Sequence, residues 1–585
     1  MSTGPVPEDL KFASSDSDAT LEGLLRADAE LCRHLKRAFW GLTILLGGIQ
    51  CWISRFAMNT DGISYLDIAR AFGRHDWAAG VNAYWSPLFS WLLALCLWVF
   101  RPSPYWESTL LHLLNFAGLL LAFRAFEFFF RACLRMQKLF AATDKQNDRL
   151  SDWAWWALGY GLFLSTALFV QTVSATTPDI WVAVLTFLIF GLILRIWTHG
   201  GGWLLFAALG LALACAYLTK TFYFPMTFVL LPTAWLATAN PRKTLSQAVL
   251  GFVVFVLVAG PWITILSRSK NRVTFGDVGK LNFAMMIDQI PQPFFWQGED
   301  ATGIPGHPVR QLLSKPRLYE FAAPVGGTYP PAYDTSYWME GVRPHFSLRG
   351  MLRVLRQSGG TYFQIWTAQL EYGVALLFFC ILAWRKSSWK DALLQQSFLW
   401  VPPLIACASY AIVHVEFRLV APFVPILWVA AFSCLLGSSL EIPPRVTRAL
   451  ILAVLSITAL RVAKSATTDL ASILAKPENI NWQIVEGLRG LDLHPGDKIA
   501  VLSLNAEVHW ARLAGVRIVS EIPLGDGNIF WTEDLEAKTK VFQLFAATGA
   551  KVLVTKDPPL SAEREGWVPL ARTGFFAHPL PPSPR

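Results

Sequence analysis

The sequence predicts an α-helical polytopic membrane protein with about 11–13 transmembrane helices and a small C-terminal α/β soluble domain. Three observations predict this fold class. Of the 585 residues, 54% are hydrophobic and only 16% are charged, far less than in a soluble protein of this size. Apolar runs of near-spanning length recur between residues 38 and 463, and the chain after them is polar and alternates strand-like with helical patterns.

The chain divides into three regions on this pattern. Residues 1–36 form a polar N-terminus, too long and polar to precede a cleaved signal peptide, and are expected to be cytoplasmic. Residues 37–463 form the membrane module, with external loops at 56–85 and 268–360. Residues 464–585 form the soluble domain, expected on the periplasmic side.

Twelve apolar runs are candidate membrane helices. They cover 38–55, 86–100, 106–130, 152–172, 178–197, 203–219, 221–238, 246–267, 363–384, 395–414, 419–438 and 446–463. Basic segments belong on the cytoplasmic side of a bilayer. This rule places the following segments there: "RHLKR" (33–37), "NPRK" (240–243), "WRKSSWK" (384–390) and "PPRVTR" (443–448).

The number of apolar runs between Asp61 and Asp179 is inconsistent with the sides of the membrane predicted for these two residues. Both residues are predicted to be external and "RACLRMQK" (131–138) internal, yet three apolar runs separate the two acids. Two external points need an even number of crossings. Either one run does not cross fully or the run 106–130 is broken, and Arg124 and Glu127 within it favour a break or an interfacial portion.

The net charge of +9 comes from lysines and arginines in short loops between the runs. That distribution needs no polyanionic partner, and no nucleic-acid motif is present, so nucleic-acid binding is not predicted. In the tail, "KIAVLSL" (498–504) and "AKVLVTK" (550–556) have the pattern of strands around the helical stretch 535–549. No glycine-rich phosphate loop follows either strand, so no nucleotide is assigned to this domain.

The external stretch "NTDGISYLDIARAFGRHDW" (59–77) predicts an amphipathic helix lying in the membrane interface. On spacing alone, Asp61 is as well explained as the N-cap of this helix as by a catalytic role. The pattern places Ile63, Leu66, Ala69 and Phe72 towards lipid and Arg70, Arg74 and His75 towards water.

Four segments, in the same order, resemble the GT-C glycosyltransferase superfamily. The resemblance is closest to the polyprenyl-phosphate-sugar-dependent branch that contains protein O-mannosyltransferases and the lipid A aminoarabinose transferase. The segments are "NTDGISYLDIARAFGRHDW…NAYWSPLFSWLLA", "TTPDIWVAVLTFLIFGLIL" (176–194), "AYLTKTFYFP" (216–225) and "HVEFRLVAPFVPILW" (414–428). The chain departs from the family at Gly62, where relatives often have a second acid, at Phe417-Arg418-Leu419 in place of Arg-Tyr, and after Lys220. These changes indicate a divergent subfamily.

The resemblance implies an inverting transfer of a sugar from a polyprenyl-phosphate carrier to a lipid, glycan or protein hydroxyl. Asp61 would be the catalytic base, and Lys220 and Arg418 would stabilise the departing phosphate. The remaining substrate-binding candidates are Asp179, His414, Glu416, Tyr65, His75, Tyr84 and Trp85.

Each candidate also has a plain structural explanation. Lys220 could be a snorkelling anchor, Arg418 the partner of Glu416, and Asp179 a first-turn acid after Pro178. His75, Tyr84 and Trp85 suit an interfacial aromatic belt. No cluster has metal-ligand spacing. Some members of the family use a divalent ion and others do not. No cofactor is therefore assigned, and the sequence does not decide whether the protein binds a divalent metal ion.

The loop 268–360 is rich in proline, glycine and aromatic residues and is predicted to cover the active site. We expect a multi-pass protein of the bacterial inner membrane with its site on the periplasmic side. Its partners would be the lipid-linked donor, the envelope acceptor and membrane lipids. A transporter or flippase of an envelope lipid or glycan is the alternative function, although such proteins usually carry internal repeats and mid-membrane charges.

Overall fold

The computed structural model describes residues 8–143, 151–170, 173–291, 296–298, 301–321, 323–383, 388–436, 444–474, 478–504 and 506–582. The basic segment 384–390, expected to be cytoplasmic, lies partly outside these residues. All of the predicted apolar runs fall on helices.

The first half of the chain is entirely helical between its connections. Its helices are α1 (Glu8–Ile53), α2 (Thr60–Gly73), α3 (Trp77–Gly80), α4 (Pro87–Phe100), α5 (Glu107–Thr143), α6 (Asp152–Phe169), α7 (Asp179–His199), α8 (Trp203–Thr219), α9 (Tyr223–Leu236) and α10 (Pro241–Ser269). Helices α5, α7, α8 and α10 pack against one another in succession and form the centre of the bundle.

A second group of helices completes the bundle. They are α14 (Leu348–Ala368), α15 (Leu370–Ala383), α16 (Ser388–Gln395), α17 (Ser397–Ala411), α18 (Phe417–Val420), α19 (Val424–Leu436) and α20 (Pro444–Leu474). The predicted run 363–384 is not one straight helix, because α14 and α15 meet at an angle of 85°. Gln369, at the bend, is fully buried and donates to the Thr166 hydroxyl at 2.8 Å.

Within the described residues, four helices are long and apolar enough to cross a membrane: α5, α7, α10 and α20. The bent pair α14–α15 makes a fifth if it counts as one span. Helices α4, α8, α9, α17 and α19 are apolar but shorter, with 10–17 residues. The chain is thus a helical polytopic protein, and the number of 11–13 complete spans stays a prediction.

Helix α4 resolves the topology between Asp61 and Asp179. Glu107, which follows α4, pairs with Arg70 of α2 and with Arg512 of the C-terminal domain. Ser86, which precedes α4, lines a cavity together with Asp61. Both ends of this 14-residue helix therefore lie on the side of the C-terminal domain, and α4 is the run that does not cross. Of the two helices that remain, α5 is long and apolar enough to cross a membrane, and a crossing by α6 stays a prediction.

The expected break in the run 106–130 is wrong. Helix α5 continues through it for 37 residues. Glu127 is tolerated there because it is fully buried and accepts hydrogen bonds from the Trp40 indole at 3.1 Å and the Tyr160 hydroxyl at 2.9 Å. Arg124 lies beside it at 3.5 Å and remains half-exposed.

Helix α2 corrects two further expectations. Asn59, not Asp61, is its N-cap, and the Asn59 side chain accepts from the Gly62 amide at 2.9 Å. The face containing Ile63, Leu66 and Ala69 is buried in protein rather than turned towards lipid. This face packs against α4 and against α12 (Pro330–Tyr333), which follows residue 328. Helix α2 is therefore covered by protein and does not lie on a lipid surface.

The loop 268–360 contains short elements of its own. They are α11 (Val278–Met286), β1 (Arg310–Ser314), β2 (Arg317–Glu320), α12 (Pro330–Tyr333) and α13 (Thr335–Trp338). Strand β2 pairs antiparallel with a strand of the C-terminal domain, with Tyr319 opposite Glu521. The loop and the tail, which the sequence pattern separates into two regions, therefore share one sheet.

The C-terminal domain has the predicted α/β pattern but begins near residue 480, since α20 runs on to Leu474. Its elements are α21 (Ile480–Arg489), β3 (Lys498–Leu502), α22 (His509–Ala514), β4 (Arg517–Ile522), α23 (Gly527–Thr532), α24 (Leu535–Ala547), β5 (Val552–Lys556), β6 (Val568–Pro569) and β7 (Phe575–Pro579). Strands β3 and β5 are parallel neighbours, as expected for the unit around α24. The sheet has the order β1-β2-β4-β3-β5-β7-β6.

Candidate active site

A cavity of about 460 Å³ lies between the outer ends of the bundle helices and the loop 268–360. It has a charged part and an apolar part. The charged side chains are Asp61, Asp179, Lys220, Glu416 and Arg418, and His414 lies beside them. The apolar side chains include Phe222, Phe275, Val278, Met285, Met286, Val413 and Leu419. The cavity therefore suits an amphiphile with a charged head.

The side chain of Asp61 is free to reach the cavity because Asn59, and not Asp61, caps the N-terminus of α2. Asn59 caps α2 and also accepts from the Thr176 hydroxyl at 2.5 Å, which ties the start of α2 to the segment before α7. A Cβ on Gly62 would lie 2.5 Å from the Met58 sulfur and 2.7 Å from Cβ of Thr176. The glycine that departs from the family pattern is thus the residue that lets α2 approach α7.

Arg418 joins three carboxylates at the centre of the site. Its Nη2 lies 3.2 Å from Oδ2 of Asp61, its Nη1 lies 3.4 Å from Oδ2 of Asp179, and its Nε donates to Glu416 at 2.5 Å. Described residues thus use three of its five N–H groups, and one N–H on each Nη remains. The expected local pair with Glu416 exists, but it is one of three.

Lys220 and Asp179 form the second ionic pair of the cavity. Lys220 follows the last turn of α8, and its Nζ donates to Oδ1 of Asp179. Oδ2 of Asp179 accepts from the Thr177 hydroxyl at 2.7 Å as well as from Arg418. Asp179 is only 2% exposed and both its oxygens face these donors, so it is a structural acid that holds both cations in place.

Glu416 is held in its charged form. His414 Nε2 lies 2.9 Å from Oε1, and Arg418 donates to Oε2. These two hydrogen bonds lower the pKa of Glu416 to about 2 despite its partial burial. A carboxylate that stays charged at every physiological pH orients Arg418 and cannot act as a proton donor.

Asp61 has the opposite electrostatic balance. Burial raises the pKa of its carboxyl, and Arg418 opposes the rise without cancelling it. Among the described residues, only Arg418 donates a hydrogen bond to the Asp61 side chain, which is 31% exposed. Asp61 is therefore a stronger base than an ordinary aspartate, and its carboxylate can still accept a hydrogen bond or a proton from a bound molecule.

Aromatic side chains form the wall next to Asp61. The rings of Tyr65 and Trp85 lie 5.0 Å apart, and those of Tyr84 and Trp85 lie 4.8 Å apart. The Tyr84 hydroxyl donates to Oδ1 of Asn282 on α11 at 3.2 Å. The predicted covering loop thus contributes to the wall of the cavity through α11.

Nine of the ten candidates from the sequence line this one cavity, and His75 does not. His75 is exposed beyond the end of α2, with a positive φ of 61°. Three further lining residues, Asn282, Thr177 and Tyr410, were not among the candidates. Nothing in their local pattern separates them from ordinary loop and helix residues, because their role depends on contacts between distant segments.

The residues present do not fit a divalent metal ion. Among the described residues, no group of three or more His, Cys, Asp or Glu side chains converges as metal ligands. The three carboxylates instead contact the guanidinium of Arg418.

Comparisons with known proteins give structural likenesses only. Neither a protein-family model nor a curated protein matches the chain. It is similar to the crystal structure of the Archaeoglobus fulgidus oligosaccharyltransferase complex with Zn and sulfate, with a TM-score of 0.47 and 14% identity over 89% of this chain and 68% of that chain. It is also similar to ArnT from Cupriavidus metallidurans bound to undecaprenyl phosphate, with a TM-score of 0.39 and 14% identity over 92% of this chain and 98% of that chain.

Because identities and TM-scores are low, the assignment of a function rests on the geometry of the cavity.

Proposed function

We propose that the protein is an inverting glycosyltransferase that moves a sugar from a polyprenyl-phosphate carrier to an acceptor hydroxyl. The observation that carries the proposal is the 3.2 Å contact between Asp61 and Arg418 at the charged end of a partly apolar cavity. An acid that can take a proton thus stands beside a cation that can bind a departing phosphate.

Asp61 is the proposed general base. An acceptor hydroxyl has a very high pKa and loses its proton only as attack proceeds, so a positioned base contributes about 10²–10⁴-fold to the rate. The raised pKa of Asp61 strengthens it as a proton acceptor. Its contact with Arg418 limits the rise of its pKa.

Arg418 and Lys220 are the proposed partners of the carrier phosphate. The two unused N–H groups of Arg418 lie on different Nη atoms and can donate to two phosphate oxygens at once. Lys220 adds a second positive charge on the other side of Asp179. Stabilising the phosphate as the glycosidic bond breaks lowers the barrier more than binding it in the ground state.

Inversion follows from the number of available carboxylates. A retaining enzyme needs a second carboxylate as nucleophile. Asp179 is engaged by Lys220, Thr177 and Arg418, and Glu416 is engaged by His414 and Arg418. Of the three, only Asp61 has an open position, which favours direct displacement by the acceptor.

Lipid, glycan and protein hydroxyls are the proposed acceptor classes. The apolar part of the cavity would hold the first units of the lipid carrier, and the wall of Tyr65, Tyr84 and Trp85 would hold sugar rings. We place the protein in the bacterial inner membrane, with this cavity and the C-terminal domain on the periplasmic side.

The test is a donor panel in proteoliposomes of the full chain. Polyprenyl-phosphate sugars with different sugar groups are incubated with envelope extract, and release of free polyprenyl phosphate is measured. At least one donor is expected to release carrier in the presence of acceptor. Absence of release for every donor, from protein that elutes as a folded monodisperse species, contradicts the proposal.

Transport of an envelope lipid or glycan is the second candidate. It is favoured by Glu127, a fully buried carboxylate in the middle of α5 with Lys36, Arg124 and Arg131 within 3.4–3.6 Å. Movement of a labelled lipid-linked sugar across the same proteoliposomes that persists in the Asp61→Asn variant would favour this function over transfer.

A further inference from the structure

A second cavity, of about 310 Å³, lies at the end of the bundle opposite the candidate active site. It is formed by α5, α6 and α7. Helix α7 begins with Asp179 in the active site and reaches this cavity with Arg195, about 24 Å further along its axis. Helix α5 likewise begins beside the C-terminal domain at Glu107 and lines this cavity from Arg131 onwards.

The lining carries a large excess of positive charge. Among the described lining residues, Arg131, Arg135, Lys138 and Arg195 face a single carboxylate, Asp152. Four cations and one anion give a formal charge of +3 with His199 neutral. Arg131, Arg135 and Lys138 stand at spacings of four and three residues on α5, which places all three on one face of the helix.

The described residues compensate only part of this charge. Lys138 reaches Asp152 at 2.6 Å. Arg131 pairs with Glu127 at 3.6 Å, a carboxylate that it shares with Lys36 and Arg124. Arg195 lies over the ring of Phe128 at 4.3 Å. Among the described residues, the Arg135 side chain has no ion pair or hydrogen bond. In the active site, by comparison, both Arg418 and Lys220 are paired with carboxylates.

We propose that this cavity binds a phosphate-bearing anion. Guanidinium groups recognise phosphate oxygens through paired hydrogen bonds, and three of the four cations here are arginines. Trp156, with Arg131 5.9 Å from its ring centre, adds an amphipathic side chain of the kind found at the membrane interface. Basic pockets between membrane helices bind anionic lipid headgroups, so the two sources of the ligand are such a headgroup and a soluble phosphate ester.

The site is independent of the proposed glycosyl transfer. It lies at the other end of α5 and α7, and none of its residues lines the active-site cavity. A failure of one proposal leaves the other standing.

The experiment uses the purified full chain in detergent. Its thermal unfolding midpoint is measured during titration with dihexanoyl phosphatidylglycerol, with zwitterionic dihexanoyl phosphatidylcholine, and with inorganic pyrophosphate. A ligand that binds only the folded state raises the midpoint with concentration, which gives its Kd. The variants are Arg135→Gln and Arg135→Gln/Arg195→Gln. Arg242→Gln is the matched control, since Arg242 is exposed in another basic segment and does not line the cavity.

Phosphatidylglycerol or pyrophosphate is expected to stabilise the protein, and phosphatidylcholine is not. Loss of one basic residue should weaken anion binding about fivefold, which is the usual contribution of one basic residue near an anionic lipid. Loss of two in the double variant should weaken it about 30-fold. Tighter binding of phosphatidylglycerol than of pyrophosphate identifies a lipid headgroup, and the reverse order a soluble phosphate ester. The single variant changes an exposed side chain, so it provides the test if the double variant does not fold.

The proposal is overturned if neither anion stabilises the wild-type protein. It is also overturned if Arg242→Gln weakens binding as much as Arg135→Gln does, because the effect would then reflect the general positive charge of this face.

Discussion

Nη2 of Arg418 lies 3.2 Å from Oδ2 of Asp61, although 357 positions separate the two residues in the chain. The same guanidinium contacts Asp179 at the start of α7 and Glu416 before α18. One side chain thus fixes three segments around the cavity. Arg418 limits the rise in the pKa of Asp61, and Asp61 is one of the three carboxylates that position Arg418.

Replacing Arg418 with Gln is expected to move the acid limb of the pH–rate profile to higher pH. Burial raises the pKa of Asp61, and Arg418 limits the rise. Since Asp61 acts in its deprotonated form, activity falls as the pH drops through this pKa, and the fall begins earlier without Arg418. The measurement is kcat/KM from about pH 4 to about pH 9.

The control for this variant is Arg310→Gln, which changes an exposed arginine on β1. Its acid limb should coincide with that of the wild type. An unshifted limb in Arg418→Gln would show that Asp61 is not the group whose titration limits the rate.

Gly62→Ala is expected to destabilise the protein by about 1–3 kcal/mol, the usual cost of overpacking. The added Cβ meets the Met58 sulfur at 2.5 Å and Cβ of Thr176 at 2.7 Å. Gly73→Ala, in the same helix, is the matched control because nothing lies within 4 Å of its added Cβ. Thermal unfolding should separate the two variants, and equal midpoints would contradict the close approach of α2 and α7.

Arg512→Met is expected to cost about 3–5 kcal/mol, because it removes the buried cation that two buried carboxylates share. Arg512 is 2% exposed and pairs with Asp67 of α2 and Glu107 of α5, so it joins the C-terminal domain to the helix that carries Asp61. Hydrogen exchange should increase in α2 and α22 together. Arg572→Met, at an exposed position, should leave exchange unchanged. If hydrogen exchange increased in α22 but not in α2, Arg512 would not couple these two helices.

Glu521→Gln is expected to stabilise the protein above about pH 7. Burial raises the pKa of Glu521 to about 7, and the Tyr329 hydroxyl donates to it at 2.6 Å. The folded state therefore binds this proton more tightly than the unfolded state. Wild-type stability should fall as the pH rises from the ordinary glutamate value, about 4.3, to about 7 and then level off.

The measurement for Glu521→Gln is the unfolding midpoint across that pH range. The variant should show a flatter dependence, and the exposed control Glu563→Gln should follow the wild type. Parallel curves for all three proteins would mean that Glu521 does not titrate in this window.

Local pattern predicted the helices and part of the soluble domain. Apolar runs indicated the membrane helices because each of these helices is stabilised mainly by removing apolar side chains from water, and the strands around α24 carry their own apolar pattern. Asp61, Asp179, Lys220, Glu416 and Arg418 were found through the resemblance, and their convergence could not be derived from spacing.

What the sequence did not predict depends on contacts between distant segments. Strand β2 is a short strand that pairs with β4 from the C-terminal domain. Helix α4 has an apolar composition typical of a span, and only the partners of Glu107 show that it returns to the same side. The capping role fell to Asn59 instead of Asp61 because Thr176, from another segment, fixes the Asn59 side chain.

The release of polyprenyl phosphate by Asp61→Asn, at saturating donor and acceptor, tests the central claim most directly. Asp492→Asn is the matched control, since the Asp492 side chain is 96% exposed. Release by Asp61→Asn should fall about 10²–10⁴-fold with an unchanged thermal midpoint, and release by Asp492→Asn should match the wild type. Release by Asp61→Asn at the wild-type rate would contradict a base at this position.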